Sequence, residues 1–340
     1  MNVLVTGGFF DEGGDGVIHH VNLESGRVET WARWHPPTHL AVAHKGLAGA
    51  RRTADHLYVA AHAAVVRWDL GRACVDGVLH QPDFNDLHDV AVTDEELLVV
   101  NTGCDAIDRF TLGGVFLGRA TWTPAWINSR RLQGDEPAGL AELCSVGWSG
   151  DAPRWKPRTD EDGYHTPPEE RARTSFARSR VADRVHPNHV THVDGEWLAT
   201  CLYDGALRSL SSMTPRIAIP GHPHDGTLDG DEVWLTTIDG GIWRVRRPLG
   251  ASPPQRVAEA FSPGRVGWCR GLLLTADHVI VGLTEVRRDR LPRHRWADAD
   301  PDESVTGLVV LDRHGGEVLE YIDLTDRTRH HKIYSIVELP

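Results

Sequence analysis

Short apolar runs punctuated by Asp, Gly and Asn recur along the chain in one frame: a polar or Pro-bearing lead, a His or Arg, an apolar strand, a turn, a second strand. Asn85–Val92 turns at Thr93–Glu96 into Leu97–Val100. His186–Val193 turns at Asp194–Gly195 into Trp197–Thr200, and His222–Leu228 turns at Asp229–Asp231 into Val233–Thr236. Gly267–Leu274 turns at Thr275–Asp277 into Val279–Val281, and a weaker copy, Gly46–Ala50, leads into Leu57–Ala60. A third alternating run follows each pair, as in Ala64–Leu70, Ala106–Leu112 and Gly241–Val245, and a looser fourth follows that, as in Val115–Gly118. Such alternation between turn residues predicts short antiparallel strands. Four strands per repeat is the pattern of a β-propeller blade.

The chain ends complete the count. His331–Val337 has the pattern of an innermost strand with nothing after it, Val3–Thr6 that of a second strand with nothing before it, and Gly16–Leu23 that of a third. Joined, they make one blade closed by both termini, which removes free sheet edges. The expectation is an all-β fold: one domain over residues 1–340, a six-bladed propeller of four-stranded blades beginning near residues 1, 46, 86, 187, 222 and 268. Two stretches break the spacing. Residues 121–185, with Trp122, Trp126, Trp148 and Trp155, read as an inserted loop that either closes over a site or packs on itself. Residues 285–303 read as a charged, solvated loop.

Composition narrows the partners. The 340 residues carry 36 Lys+Arg against 48 Asp+Glu, a formal charge of −12. That balance, with no basic run, argues against nucleic acid. No apolar stretch approaches the roughly 20 residues of a membrane span, and the N-terminus lacks the pattern of a signal peptide. The five cysteines are odd in number and contain no CxxC pair, which suits reduced thiols in a cytoplasmic protein. The expected partner is a small-molecule or peptide substrate, with neither nucleic acid nor membrane.

Twenty histidines change the picture. Innermost propeller strands line one axis, and the frame puts His88, His189, His224, Arg270 and His331 at one position in five blades. Imidazoles converging on a point suit a transition metal better than Ca²⁺ or Mg²⁺, which prefer oxygen. His88, His189, His224 and His331 are therefore the candidate ligands, with Fe(II) first and Zn or Cu as alternatives. Asp86, Asp89 and Asp225 are candidates to hold the distal ring nitrogens. Arg270, Asp89 and Asp225 are the candidate catalytic groups. Arg265 and Arg270 are candidates to bind a substrate carboxylate. Trp268 and Tyr334 either wall the site or pack between blades. Asn101, with Thr102, Thr236, Thr237 and Thr284, either contacts a polar substrate or serves the turns. Metal-free His catalysis and a channel of packed His stay open beside the metal.

The four-His set resembles that of the carotenoid-cleaving oxygenases, which hold Fe(II) on a propeller axis. That family has seven blades, and its apolar entrance is not evident here. The resemblance implies a non-haem Fe(II) oxygenase. The axial His with Arg270 also resembles the arylsulfate sulfotransferases, six-bladed propellers in which one His carries the sulfo group, although those enzymes are typically exported. Lactonase-like six-bladed propellers place Ca²⁺ on Glu, Asn and Asp, and the surplus of axial His over acids counts against that likeness. A Zn- or Cu-dependent hydrolase or lyase and a non-enzymatic binding propeller complete the alternatives.

Overall fold

The computed structural model describes residues 1–340 apart from 11–13, 38–39, 43, 82–83, 123–183, 287–303, 327–329 and 340. Strands β1 (Asn2–Phe9), β2 (Gly16–Asn22) and β3 (Arg27–Trp34) belong to the first blade. The second holds β4 (Leu47–Arg52), β5 (His56–Ala61), β6 (Ala64–Asp69) and β7 (Cys74–Leu79). The third holds β8 (Leu87–Val92), β9 (Glu96–Asn101), β10 (Ala106–Thr111) and β11 (Phe116–Thr121). The fourth holds β12 (Pro187–Val193), β13 (Glu196–Cys201), β14 (Ala206–Ser209) and β15 (Pro215–Ala218). The fifth holds β16 (Pro223–Asp229), β17 (Glu232–Thr237), β18 (Gly241–Arg246) and β19 (Gln255–Glu259). The sixth holds β20 (Trp268–Leu274), β21 (His278–Thr284), β22 (Gly307–Asp312) and β23 (Val318–Asp323). The last strand, β24 (His331–Leu339), pairs antiparallel with β1 and becomes the innermost strand of the first blade. The expected six-bladed, four-stranded, terminus-closed propeller is the fold.

The apolar residues of the second strands explain its cohesion. Successive side chains on a strand point to opposite faces, and each face of a blade packs on a neighbour. Val3 and Val5 pack on Ile280 and Leu308 of the sixth blade, whereas Leu4 between them packs on Leu57 and Val59 of the second. Leu97 and Val99 face the second blade, and Leu98 and Val100 face the fourth. Burial on both faces makes these strands continuous apolar runs. Trp234 is core at the joint of the fifth and sixth blades, as its place in the alternation suggests.

Hydroxyls stitch four joints. Thr6, Thr102, Thr200 and Thr284 donate to the backbone oxygens of Ala48, Pro187, His224 and Ile333 on the next blade's inner strand. Asn101 is fully buried, donates to Asp108 and accepts from the Asn85 N–H. Of the candidates for substrate contact, Asn101, Thr102 and Thr284 are thus spent on the scaffold.

Every inner strand carries a bulge, and that of β20 falls one residue further along than the others. Measured against its partner strand, the unpaired residues are Ala48–Gly49, His88, Asn188, His224–Asp225, Gly271 and Tyr334. Bulges re-aim side chains and gather beside active sites. Closure depends on one of them. Gly7 lies opposite Ile333, next to the Tyr334 bulge, and a Cβ there would overlap the Lys332 carbonyl. Gly7→Ala is expected to cost about 3 kcal/mol, the upper end for overpacking, read as a lower urea midpoint. A variant as stable as the parent would show that β24 has slack there.

Candidate functional site

The bulges explain which expected residues meet. His88 is itself a bulge residue, and its register equivalents are Asn188, His224, Arg270 and Tyr334. His189 stands one residue beyond its bulge and His331 three before Tyr334. A one-residue offset in a strand turns a side chain to the other face. His88 and His224 share the bulge level, whereas His189 and His331 stand off it.

His88 lies with its ring centroid 5.1 Å from His186, 6.2 Å from His224 and 6.2 Å from Tyr334. His331 packs instead against Phe9 and His19, at 5.4 and 4.8 Å. Burial, then His331 and Arg33, lowers the His19 imidazole to about 4. His189 pairs with Asp89 at 2.8 Å and lies 3.0 Å from the Arg51 guanidinium. Among the described residues no group of three His, Cys, Asp or Glu is placed to hold a metal ion.

Three of the axial rings are held at Nδ1, one of them by a carboxylate. Nδ1–H of His88 donates to the Asp86 carbonyl at 2.9 Å and that of His331 to the Leu324 carbonyl at 3.0 Å. Nδ1 of His224 meets the Asp225 carboxylate at 2.8 Å. Each contact leaves Nε2 as the basic nitrogen of the neutral ring. Burial above all lowers the His224 imidazole, against the pull of Asp225. Burial would raise the Asp225 carboxyl, but the pairing with His224, nearby His189 and the Gly271 N–H outweigh it and hold it at about 2. Gly271 makes that last bond, at 2.7 Å, from a φ of +76°, a conformation natural to glycine. Asp86 carries a different load: its carboxylate takes Lys45 Nζ at 2.7 Å and His62 Nδ1 at 3.1 Å.

Arg270, Trp268 and Tyr334 do come together. The Arg270 guanidinium carbon lies 4.3 Å from the Tyr334 ring centroid and 5.4 Å from that of Trp268. Arg270 is only 9% exposed, yet its buried Nε has no hydrogen-bond partner and the guanidinium no ion pair among the described residues. Arg265 does not join them. It is exposed and stacks on Tyr321 of the outermost strand β23, at 4.5 Å.

Beside Tyr334 is a residue the sequence frame passes over. Lys332 is 2% exposed; its ammonium donates to the His44 carbonyl and lies 5.6 Å from the Tyr334 ring centroid and 5.0 Å from that of Phe10. Burial lowers its amine to about 8. Burial alone would raise the Tyr334 phenol, but Lys332, Arg270 and Lys45 overcome it and bring it down to about 7. The chain has only three lysines, and two of them, Lys45 and Lys332, are here. That scarcity was the available signal for both. His186 and His62 carry no such mark. Cys269, next to Arg270, is buried in the apolar seam with its thiol pushed up by burial, so it packs as a small apolar residue.

Left-handed backbone rims this end of the axis. His44, Asp86, His186 and His330 precede their inner strands with φ of 63°, 51°, 57° and 49°. Such conformations in non-glycine residues gather where function over-determines the backbone. The greater part of the 121–185 and 285–303 insertions lies outside the described residues.

No protein-family model and no curated protein sequence matches the chain. Solved structures do match in fold. The structure of a nidogen/laminin complex is similar at a TM-score of 0.57 with 8% identity, over 99% of this chain and 97% of that one. A putative 6-phosphogluconolactonase from Bacteroides uniformis is similar at 0.50 with 11% identity, over 95% of this chain and 83% of that one. A streptogramin B lyase is similar at 0.46 with 13% identity, over 83% and 70%. At these identities the likeness is of the propeller fold alone, which serves enzymes and binding proteins.

Proposed function

We propose that the upper axial site is the active site of an enzyme that anchors a small carboxylate-bearing substrate on Arg270 and abstracts a proton next to the anchored group. The observation that carries this is Arg270 itself. A guanidinium buried between two aromatic faces, with its Nε unpartnered and no carboxylate partner among the described residues, is only partly repaid for its desolvation. A planar anion repays that cost through paired charge-assisted hydrogen bonds.

Tyr334 is the base. At about 7 its phenol is substantially ionised at neutral pH, near the optimum for proton transfer. Lys332 and Lys45 stabilise the negative charge that appears on the substrate when the proton leaves. His88, with Nε2 basic and its ring 6.2 Å from Tyr334, takes the abstracted proton on from the Tyr334 phenol and exchanges it with solvent, and the substrate carbanion is reprotonated by the same route in reverse.

The test is proton NMR of the protein in D₂O with a panel of α-substituted carboxylates. The expected result is loss of one α-proton signal, slowed about a hundredfold in Tyr334→Phe, the lower range for general-base catalysis. Arg270→Gln is expected to raise KM. Exchange that proceeds unchanged in Tyr334→Phe would sink the assignment. A step that requires added Fe(II) and oxygen would return the reading to the oxygenase. A stable adduct on an axial His with an aryl sulfate would return it to sulfo transfer.

A further inference from the structure

Asn188 stands at the same level of its inner strand as His88, His224, Arg270 and Tyr334, and the proton transfer leaves it unused. Side chains at this level converge across the axis. The His88 ring lies 6.2 Å from His224, two blades on, and 6.2 Å from Tyr334, two blades back. Asn188 belongs to the blade between His88 and His224.

The amide is buried, with the residue 2% exposed. Its Nδ2 donates to the Pro223 carbonyl on the next inner strand, at 3.4 Å. A carbonyl can only accept, so this contact orients the amide and leaves Oδ1 as the atom to be satisfied. Oδ1 is buried without a hydrogen-bond partner, and so is Arg270 Nε at the same level. A buried acceptor left unmade costs free energy, as a buried donor does. One ligand meets both needs if it pairs an anion for the guanidinium with a hydrogen-bond donor for the amide oxygen. The surrounding charges decide which donor. Asp86 is taken by Lys45 and His62, and Asp225 by His224 and the Gly271 N–H. Lys332 rests on a backbone carbonyl, and Arg270 has no ion pair among the described residues. An ammonium would add a cation beside two that no carboxylate balances, whereas a hydroxyl adds no charge.

We infer that Asn188 is a specificity-determining residue that selects a 2-hydroxycarboxylate, accepting the substrate hydroxyl on Oδ1 while Arg270 holds the carboxylate, an assignment that rests on the anchoring role proposed for Arg270.

Isothermal titration of the full chain with lactate, propionate, 2-methoxypropionate and alanine separates the two roles. All four carry a carboxylate, and lactate alone adds a neutral donor. Lactate is expected to bind at least about tenfold more tightly than each of the others, because a site built around a hydroxyl rejects analogues that leave its buried acceptor unpaired. Asn188→Leu is expected to bring lactate down to the affinity of propionate and leave propionate unchanged, whereas Arg270→Gln weakens both. The comparison among ligands in the parent chain holds even where Asn188→Leu fails to fold. Equal affinity for lactate and propionate in the parent would overturn the selection by hydroxyl and leave the Arg270 anchor intact. Binding of 2-methoxypropionate or alanine as tight as that of lactate, or a lactate preference that persists in Asn188→Leu, would overturn it as well. Failure of all four acids to bind would overturn the anchor and the role of Asn188 together.

Discussion

A titration followed by tyrosinate absorbance is expected to show one of the chain's five tyrosines ionising near pH 7. The residue is Tyr334, and the cause is the charge around it. Its ordinary value is 10.0, and burial by itself would move it higher. Lys332, Arg270 and Lys45 favour the phenolate strongly enough to reverse that. Tyr334→Phe is therefore expected to abolish the low-pH step. Lys332→Met is expected to move it up by roughly one to three pH units, the reach of one neighbouring opposite charge.

The same groups fix a stability profile. Between pH 7 and 10 the folded chain has released the Tyr334 proton and the unfolded chain still holds it. Stability therefore rises with pH through that window; the contribution is complete above about 10 and lost as the pH falls to about 7. Lys332 acts with the same sign, since the penalty on its buried ammonium is relieved between about 8 and 10.5. Thermal unfolding across this range is expected to show the melting temperature of Tyr334→Phe rising less than the parent's. A parent profile that falls steadily from pH 7 to 10, with no tyrosinate below pH 9, would refute the cationic environment assigned to Tyr334.

How much of this was legible follows from the register. The strand-turn-strand frame depends on apolar side chains that must be buried on both faces, so Val3, Leu4 and Val5 or Leu97, Leu98 and Val99 declared the blades by themselves. The axial residues obey a different constraint. An ungapped frame aligns His88 with His189, but the bulges fall at His88 in one strand and Asn188 in the other. No local residue preference marks a bulge occupied by His, Asn, Asp, Gly and Tyr in turn. The frame therefore found the right strands and set His88, His224 and Arg270 at one level, with His189 one residue and His331 three residues away from it. Arg270 and Tyr334 were visible as polar breaks in apolar strands. Lys332 was hidden, because a charged residue at the start of a terminal strand reads as solvent-facing until ring closure buries it.

Asp105 shows the same dependence on closure, and its removal is expected to be among the most damaging single changes in the scaffold. It follows the short turn Thr102–Cys104, is fully buried, and adopts a φ of 48°. Its carboxylate accepts the N–H groups of Arg184, Val185 and His186 at 2.7, 3.1 and 2.9 Å, and its carbonyl accepts Trp122 N–H at 3.0 Å. One residue thus ties together the two described flanks of the first insertion and sets the position of His186, whose ring rests on His88. Asp105→Ala would leave buried N–H donors unpaired and place alanine in a left-handed conformation. The expected cost is about 3–5 kcal/mol, from hydrogen bonds to a charged acceptor worth roughly 1.5–3 kcal/mol each. Asp105→Asn keeps an acceptor and tolerates the backbone angle, so it is expected to recover part of the loss. Urea denaturation of both variants at constant slope reads the difference, and an alanine variant within about 1 kcal/mol of the parent, against the several such bonds should cost, would show that water replaces the carboxylate and that the insertion's flanks are held elsewhere.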